Sequence, residues 1–508
     1  MSQVACKLLF MLEHPSLKAL LDKQAKQHNV GTVLGLLGWD EQVNLPPASS
    51  DQRAQEMAVL SEIHHNLASD SSIETLLQPL EEDWAKLNAD EQCVVKNSRK
   101  DYDRATRLPT DYVTEKAILD SQAYHAWVDA RGKNHFGAFA PFLKRQVEMS
   151  VKGAELMGKS DNPYDYQIDL FDPGMTAETI EGLFNTLKEE LVPLARSILD
   201  SQVKAKTDQL KGFPIEKQKA FLTEVAETLG FDYQRGRFDV AVHPFCSGNA
   251  CDTRLTTRFD EDVPLDSLFS SIHETGHGLY EQGLPIDQLH NALGQAVGMG
   301  IHESQSRLWE NQVSRSREFW QHFEPKYRAA FPEQLTGLSS DDLYLAVNSV
   351  TLCPIRVDSD EVTYNFHIIL RFELEKKLIG GELSVDDLPA EWNRLSKEII
   401  GLSPPSDKEG VLQDVHWSGG MFGYFPSYCL GNMIAAQLWD KALEEIPDLL
   451  SDFSQGKFDR LLAWLRGRIH QHGKRYDTQD LVTRVTGEPI NPKYLIKYLK
   501  DRYLPLYS

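Results

Sequence analysis

The chain of 508 residues has no apolar stretch approaching the roughly 18 residues that cross a bilayer, so no membrane span and no membrane partner is expected. It also lacks basic charge: Lys and Arg total 53 against 75 Asp and Glu, a formal net charge of −22. A surface that acidic repels polyanions, so nucleic acid is not an expected partner. Cysteine is scarce. Cys6, Cys93, Cys246, Cys251, Cys353 and Cys429 are too few in so long a chain for a disulfide framework. Cys246 and Cys251 have C-x4-C spacing, but no second Cys or His pair at zinc-knuckle spacing accompanies them. Free thiols in a reducing, cytoplasmic setting are the expectation. There is no fixed-period repeat, low-complexity tract or long linker. Residues 1–508 read as one catalytic unit, with two lobes about a cleft left open. The apolar run Val4 to Leu12 is interrupted by Lys7 and has no basic flank or small-residue cleavage site, so it reads as the start of an amphipathic helix. Leu504 to Ser508 carries no lipidation signal.

What is present is mostly helical periodicity. Leu17, Leu20 and Leu21 recur at three- and four-residue spacing in 15–28, with Ser16 as a candidate N-cap. Met57, Leu60, Ile63 and Leu67 repeat the pattern in 51–68. Between them GWDEQVNLPPASS, with its paired prolines, predicts a break. Similar faces occur in 111–131, 137–157, 177–201 and 213–229. Residues 237–259 differ: two runs of alternating polarity flank Ser247-Gly248-Asn249, which predicts a hairpin or two strands, with His243 on a strand beside Pro244. Helices resume at Leu265. The fold class expected is mainly α with a small β-sheet.

The chemistry centres on HETGH at 273–277. Leu265, Leu268, Phe269 and Ile272 have helical spacing, and Gly283 with Pro285 gives a stop signal. His273 and His277 are therefore i and i+4 on one helix, about 40° apart in projection and about 6 Å apart along the axis. Two imidazoles so placed can share a metal, and Glu274 can reach the attacking water. Gly276 and Gly278 each cost about 1 kcal/mol against Ala mid-helix, which suggests close approach by a substrate or by a packed backbone. A catalytic zinc needs a third protein ligand. No HExxHxxGxxH extension follows. Glu303 in GMGIHESQSRLWEN would complete a set of two His and one Glu. On one unbroken helix it would lie about 39 Å away, so the chain must fold back at Gly283–Pro285. His302 is the rival and Glu310 a weaker one.

HETGH and HESQ are two of six ordered motifs. The others are HPF at 243–245, DTRLT at 252–256, IRVDSD at 355–360 and GVLQDVHW at 410–417. LLGWDEQVNLPP at 36–47 and FDPGMT at 171–176 add to them. Together they resemble the carboxypeptidase Taq family of HExxH metallocarboxypeptidases over nearly the whole chain. Ser359 departs from the family's usual Ala in IRxxAD. The resemblance implies a neurolysin-like helical metallopeptidase fold with a deep groove and a small sheet. It also implies a homodimer and release of single C-terminal residues from peptide substrates. It favours Glu303 over His302 as the third ligand, with one zinc per subunit. Cobalt is a substitute that the same ligand types permit.

Glu274 is the expected general base; His416 in QDVHW is the first candidate donor to the oxyanion or substrate, and Tyr424, in the aromatic stretch MFGYFPSY, is another. Arg356 is the first candidate to read the substrate's terminal carboxylate, because a guanidinium fork binds it in bidentate fashion. Arg254 is the second. For either, a structural salt bridge with Asp252, Asp358 or Asp360 is the alternative. His243, Asp252 and Thr256 are expected on the groove wall, and Gln413 among the substrate contacts. Packing beside Trp417 is the alternative for His416, and a core position for Tyr424. Two other functions stay open: a zinc endopeptidase or dipeptidyl peptidase of the same fold, and a metal-stabilised helical scaffold without activity.

Overall fold

The structure, a computed structural model, describes residues 14–508. Cys6 and the Val4–Leu12 run lie outside the described residues. Helices dominate, as the periodicity predicts, with one three-stranded sheet inserted before HETGH. The first described helix spans Pro15–Val43, and His14, not Ser16, caps it by accepting the Ser16 N–H. Pro15 then occupies the first turn, where its missing N–H costs nothing. The helix also runs through GWDEQV and stops only at Asn44, before Pro46. The break is therefore shorter than the sequence suggested, because only the prolines stop the helix. The Ser50–Ala68 helix follows and buries none of its residues, so its apolar face is not core in the protomer. Val33, Leu36, Val59 and Ile63 of this helical pair are exposed.

Strands β1 (Gly236–Val240), β2 (Phe245–Asn249) and β3 (Asp252–Thr257) lie in the order β1-β3-β2. β3 pairs parallel with β1 and antiparallel with β2. The hairpin turns at Ala250–Cys251, so Ser247-Gly248-Asn249 belongs to β2 and not to the turn. Gly248 has φ +106°, and a Cβ there would collide with the Asp252 carbonyl. Only glycine suits that position. His243 lies in the exposed bend between β1 and β2, not on a strand, because Pro244 offers no N–H to a ladder.

Alternation along β3 sends its residues to two faces. Leu255 faces the Pro264–Glu281 helix, where a Cβ on Gly278 would come 3.0 Å from its Cδ2. Arg254 faces the other way, with its guanidinium 4.3 Å from the centre of the Trp39 ring. Arg237 stacks on the same ring at 4.8 Å. One continuous core runs from Ala123 to Tyr503. A smaller one holds Leu17, Leu20, Leu77 and Val94 and meets the rest at Ala292 and Leu293.

Candidate metal centre and substrate pocket

His273, Glu274 and His277 ride on the Pro264–Glu281 helix, which ends one residue before Gln282 as the stop signal predicts. After Pro285 the chain folds back and enters the Met299–Arg307 helix, which carries Glu303. Two glycines let the helices approach. A Cβ on Gly276 would lie 2.6 Å from the Ser306 Cα. A Cβ on Gly431, of the Pro426–Glu445 helix, would strike the Glu303 side chain. Gly276 is thus explained by a packed backbone.

The result is a convergence of three donor atoms. Glu303 Oε2 lies 3.5 Å from His273 Nε2 and 3.4 Å from His277 Nε2. Ligand atoms held about 2.1 Å from one zinc at tetrahedral angles are about 3.4 Å apart, so the spacing fits that ion. Among the described residues, this is the one group of three or more His, Cys, Asp or Glu side chains so placed. Cys246 and Cys251 join no such group. Although burial pushes the Glu303 carboxyl up, Arg307 and the two imidazoles hold it well below the usual carboxylate range, so it stays ionised. Arg307 Nε donates to it at 2.6 Å.

The rival ligands stand behind the imidazoles. Glu310 Oε2 is 2.9 Å from His273 Nδ1. A carboxylate only accepts, so His273 carries its proton on Nδ1 and turns the Nε2 lone pair towards Glu303. A π-helical turn over Leu308–Val313 brings Glu310 into place. His302 Nδ1 lies 2.6 Å from His277 Nδ1, and His302 Nε2 lies 2.8 Å from Glu281 Oε1. Glu281 accepts from His302, so His302 in turn accepts from His277, whose Nε2 is left with a lone pair. Glu281 went unnoticed in the sequence, although it follows His277 by four residues on one helical face.

Glu274 is buried beside this point, and its Oε2 has no hydrogen-bond partner. Burial pushes its carboxyl up to about 7, with His273 opposing. Tyr424 and Tyr428 lie close enough to Glu303 for its charge to act on both hydroxyls. Burial holds Tyr424 up at about 12, so it remains a donor. His416 Nε2 is 3.4 Å from the Tyr428 hydroxyl. Burial lowers His416 to about 3, which keeps its ring neutral. Tyr428 follows Tyr424 by four residues in the same aromatic stretch, just inside the Pro426–Glu445 helix, the signal by which it could have been found.

Arg356 is buried, and its salt-bridge partner is Asp414, not Asp358 or Asp360. Its Nε and Nη2 donate to Asp414 Oδ1 at 2.9 and 2.8 Å, and its Nη1 donates to the Tyr364 hydroxyl at 2.7 Å. One N–H on each Nη is left over. Asp360 instead accepts the N–H groups of Thr351, Val362 and Thr363. Gln413 accepts the Arg356 N–H and donates to the carbonyls of Pro354 and Glu409. All its polar atoms are thus spent on loop backbone. Arg254 pairs with Asp252, its Nη2 donating to Oδ2 at 2.9 Å. Thr256 is buried and bonds Phe245 N and the His243 and Phe245 carbonyls, so it pins the start of β2. The structure therefore groups His273, Glu274, His277, Glu303 and Tyr424, with His416 and Arg356 around Tyr428. It sets Arg254, Asp252 and Thr256 on the sheet face turned from HETGH, and His243 at an exposed bend. Ser359 donates to the Ile355 carbonyl at 2.9 Å and meets His367 Nε2 at 2.9 Å, so the departure from Ala is accommodated.

Asp172 of FDPGMT ties two of these helices together. Its carboxylate accepts from Gly300 N at 2.7 Å and Ser427 Oγ at 2.5 Å. Burial pushes it up to about 6. A carboxyl with a raised folded-state value binds a proton more tightly when folded, so the fold loses stability as pH rises from about 4 to about 6. Asp172→Asn should remove that loss, about 3 kcal/mol at most. Thermal melts of both proteins from pH 4 to 7 check this. Parallel curves would show that Asp172 does not titrate there.

Known proteins share this architecture. The family described as carboxypeptidase Taq (M32) metallopeptidase matches residues 19–503. Carboxypeptidase 1 of Bacillus subtilis is 38% identical over 496 residues, 97% of this chain and 99% of its own. Thermostable carboxypeptidase 1 of Thermus thermophilus is 39% identical over 505 residues, 96% of this chain and 98% of its own. The crystal structure of an M32 carboxypeptidase from Deinococcus radiodurans R1 superposes with a TM-score of 0.94 at 39% identity, covering 97% of this chain and 99% of that one.

Proposed function

The chain belongs to the carboxypeptidase Taq (M32) metallopeptidase family, and on that premise we propose that it is a zinc-dependent carboxypeptidase releasing single C-terminal residues from peptides. The observation that carries the proposal is the convergence of His273 Nε2, His277 Nε2 and Glu303 Oε2 beside the buried, unpartnered Glu274. Those three residues would hold the zinc, which when bound supplies a Lewis acid for the scissile carbonyl. Glu274 accepts the proton of the attacking water and returns it to the leaving amine. Tyr424, with Tyr428 and the neutral His416 behind it, offers protons to the oxygen that gains charge. Arg356 turns its remaining N–H groups to the terminal carboxylate, clamped by Asp414 and Tyr364. A structural zinc would take four protein ligands, and the three here leave a position for substrate.

The test compares kcat/KM for matched free-acid and amidated peptides. Arg356→Ala should cost the acid about 2–5 kcal/mol of transition-state binding and change the amide little. Arg356→Lys should recover part of it, because an ammonium lacks the fork. Arg254→Ala should keep the acid preference. An equal loss on both substrates would reduce Arg356 to a structural salt bridge. Ready cleavage of amidated or internal bonds would favour an endopeptidase.

Cytoplasmic location and a homodimer belong to the same proposal. No described helix is long and apolar enough to cross a membrane. The exposed Val33, Leu36, Val59 and Ile63 give the Pro15–Val43 and Ser50–Ala68 helices an apolar face for a second subunit to cover. Cobalt would suit the same ligands.

A further inference from the structure

We infer that Arg371, a fully buried positioning residue, sets the preference for a free C-terminal carboxylate by sharing Asp414 with Arg356, which leaves the reading guanidinium incompletely neutralised. The inference rests on the proposal that Arg356 is the carboxylate reader.

Arg371 belongs to the Tyr364–Ile379 helix and has no solvent exposure. Its Nε and Nη2 donate to Asp414 Oδ2 at 2.8 and 2.5 Å, and its Nη1 donates to the His367 carbonyl at 2.8 Å. Arg356 takes the other oxygen, Oδ1. One carboxylate thus faces two guanidinium groups, one per oxygen. Although burial raises the Asp414 carboxyl, the two arginines hold it well below the usual range, so it is ionised. The three groups together carry one excess positive charge.

Among the described residues, nothing else around them cancels it by contact. His367 and His416 are both lowered by burial to about 3 and are neutral. Glu375 accepts from Trp417 Nε1, Tyr164 OH and Gly423 N; burial raises it to about 7 against those bonds and the more distant pull of Arg371, and it makes no ion-pair contact with either arginine. An unbalanced charge in a dry site is costly unless something neutralises it. A substrate carboxylate on the free Nη atoms of Arg356 would do so, giving two anions and two cations. Without the charge of Arg371, Asp414 would neutralise Arg356 outright, and an acid would gain little over an amide. Arg371 therefore acts on the substrate only through Asp414 and Arg356.

The test measures kcat and KM for free-acid and amidated forms of one peptide, on zinc-loaded enzyme with the fold checked by melting. Arg371→Met should lower the acid-to-amide ratio of kcat/KM by about 10- to 100-fold, mainly through the KM of the acid. Amide cleavage should stay within about threefold. Arg371→Lys keeps the charge and should hold the ratio within about threefold. Adding Asp414→Asn to Arg371→Met restores one net positive charge and should recover part of the ratio. If Arg371→Met does not fold, Arg371→Gln, which retains a donor for Asp414, takes its place. The inference is overturned if the neutral variant keeps the wild-type ratio or lowers both substrates equally. It is overturned too if the double variant recovers nothing. Arg356→Ala is the control. If it leaves the acid preference intact, the reader itself is misassigned, and the failure lies there rather than with Arg371.

Discussion

Glu274→Gln should bind zinc normally and lose about 10²- to 10⁴-fold in kcat, the usual contribution of a positioned general base. The substitution is nearly isosteric, and the three donor atoms of His273, His277 and Glu303 are untouched. What changes is one capacity. A carboxylate accepts a proton from water and an amide does not. The surroundings suit a general base, since Glu274 is 6% exposed and its Oε2 is committed to no other group. Burial has already pushed the carboxyl up to about 7, near the pH at which a base and its conjugate acid both serve. Steady-state kinetics at one zinc per chain, with metal content measured on the same sample, decides the matter. Near-wild-type turnover would remove Glu274 from the chemistry.

Glu303→Ala should weaken zinc binding by roughly 10²- to 10³-fold, since about 10–16 kcal/mol for a whole site divides into a few per ligand. His302→Ala should cost at least tenfold less than that, as an outer partner acting through His277 (about 10- to 100-fold at most). The ordering follows from which atoms meet. Glu303 Oε2 is within 3.5 Å of both imidazole Nε2 atoms. His302 bonds His277 at its far nitrogen, Nδ1, and Glu281 beyond it. The Glu303 variant should still fold, because Arg307 keeps a second carboxylate, Glu310, at 3.1 Å. Competition against a chelator of known affinity measures both variants. If His302→Ala releases the metal and Glu303→Ala retains it, the third ligand is His302.

Several local departures from the sequence-based expectations share one cause. Ser16 looked like a cap, but His14 and Pro15 start the helix earlier. Ser247-Gly248-Asn249 looked like a turn, yet Gly248 uses its positive φ inside β2. Met57, Leu60, Ile63 and Leu67 have helical spacing and do lie on one helix, Ser50–Ala68, but that helix buries none of its residues. Propensity and periodicity report what a segment could do. Which option is taken depends on neighbours that the segment does not contain.

The sequence alone determined the mainly helical class, the family resemblance and the first half of the centre. His273, Glu274 and His277 are legible because helical pitch fixes an i, i+4 pair without help from the rest of the chain. The tertiary structure alone decided what lies between distant segments. Gly431, far along the chain from Glu303, opens the space that the Glu303 side chain fills. His302 and Glu310 were rivals on paper, and folding put them on the far nitrogens of the two imidazoles. Arg356 found Asp414 rather than the aspartates next to it, and Arg371 came to the same carboxylate from another helix. The physical reason is that a helix dictates angles within itself, whereas ion pairing in the interior is set by which helices pack and by which charges burial forces together.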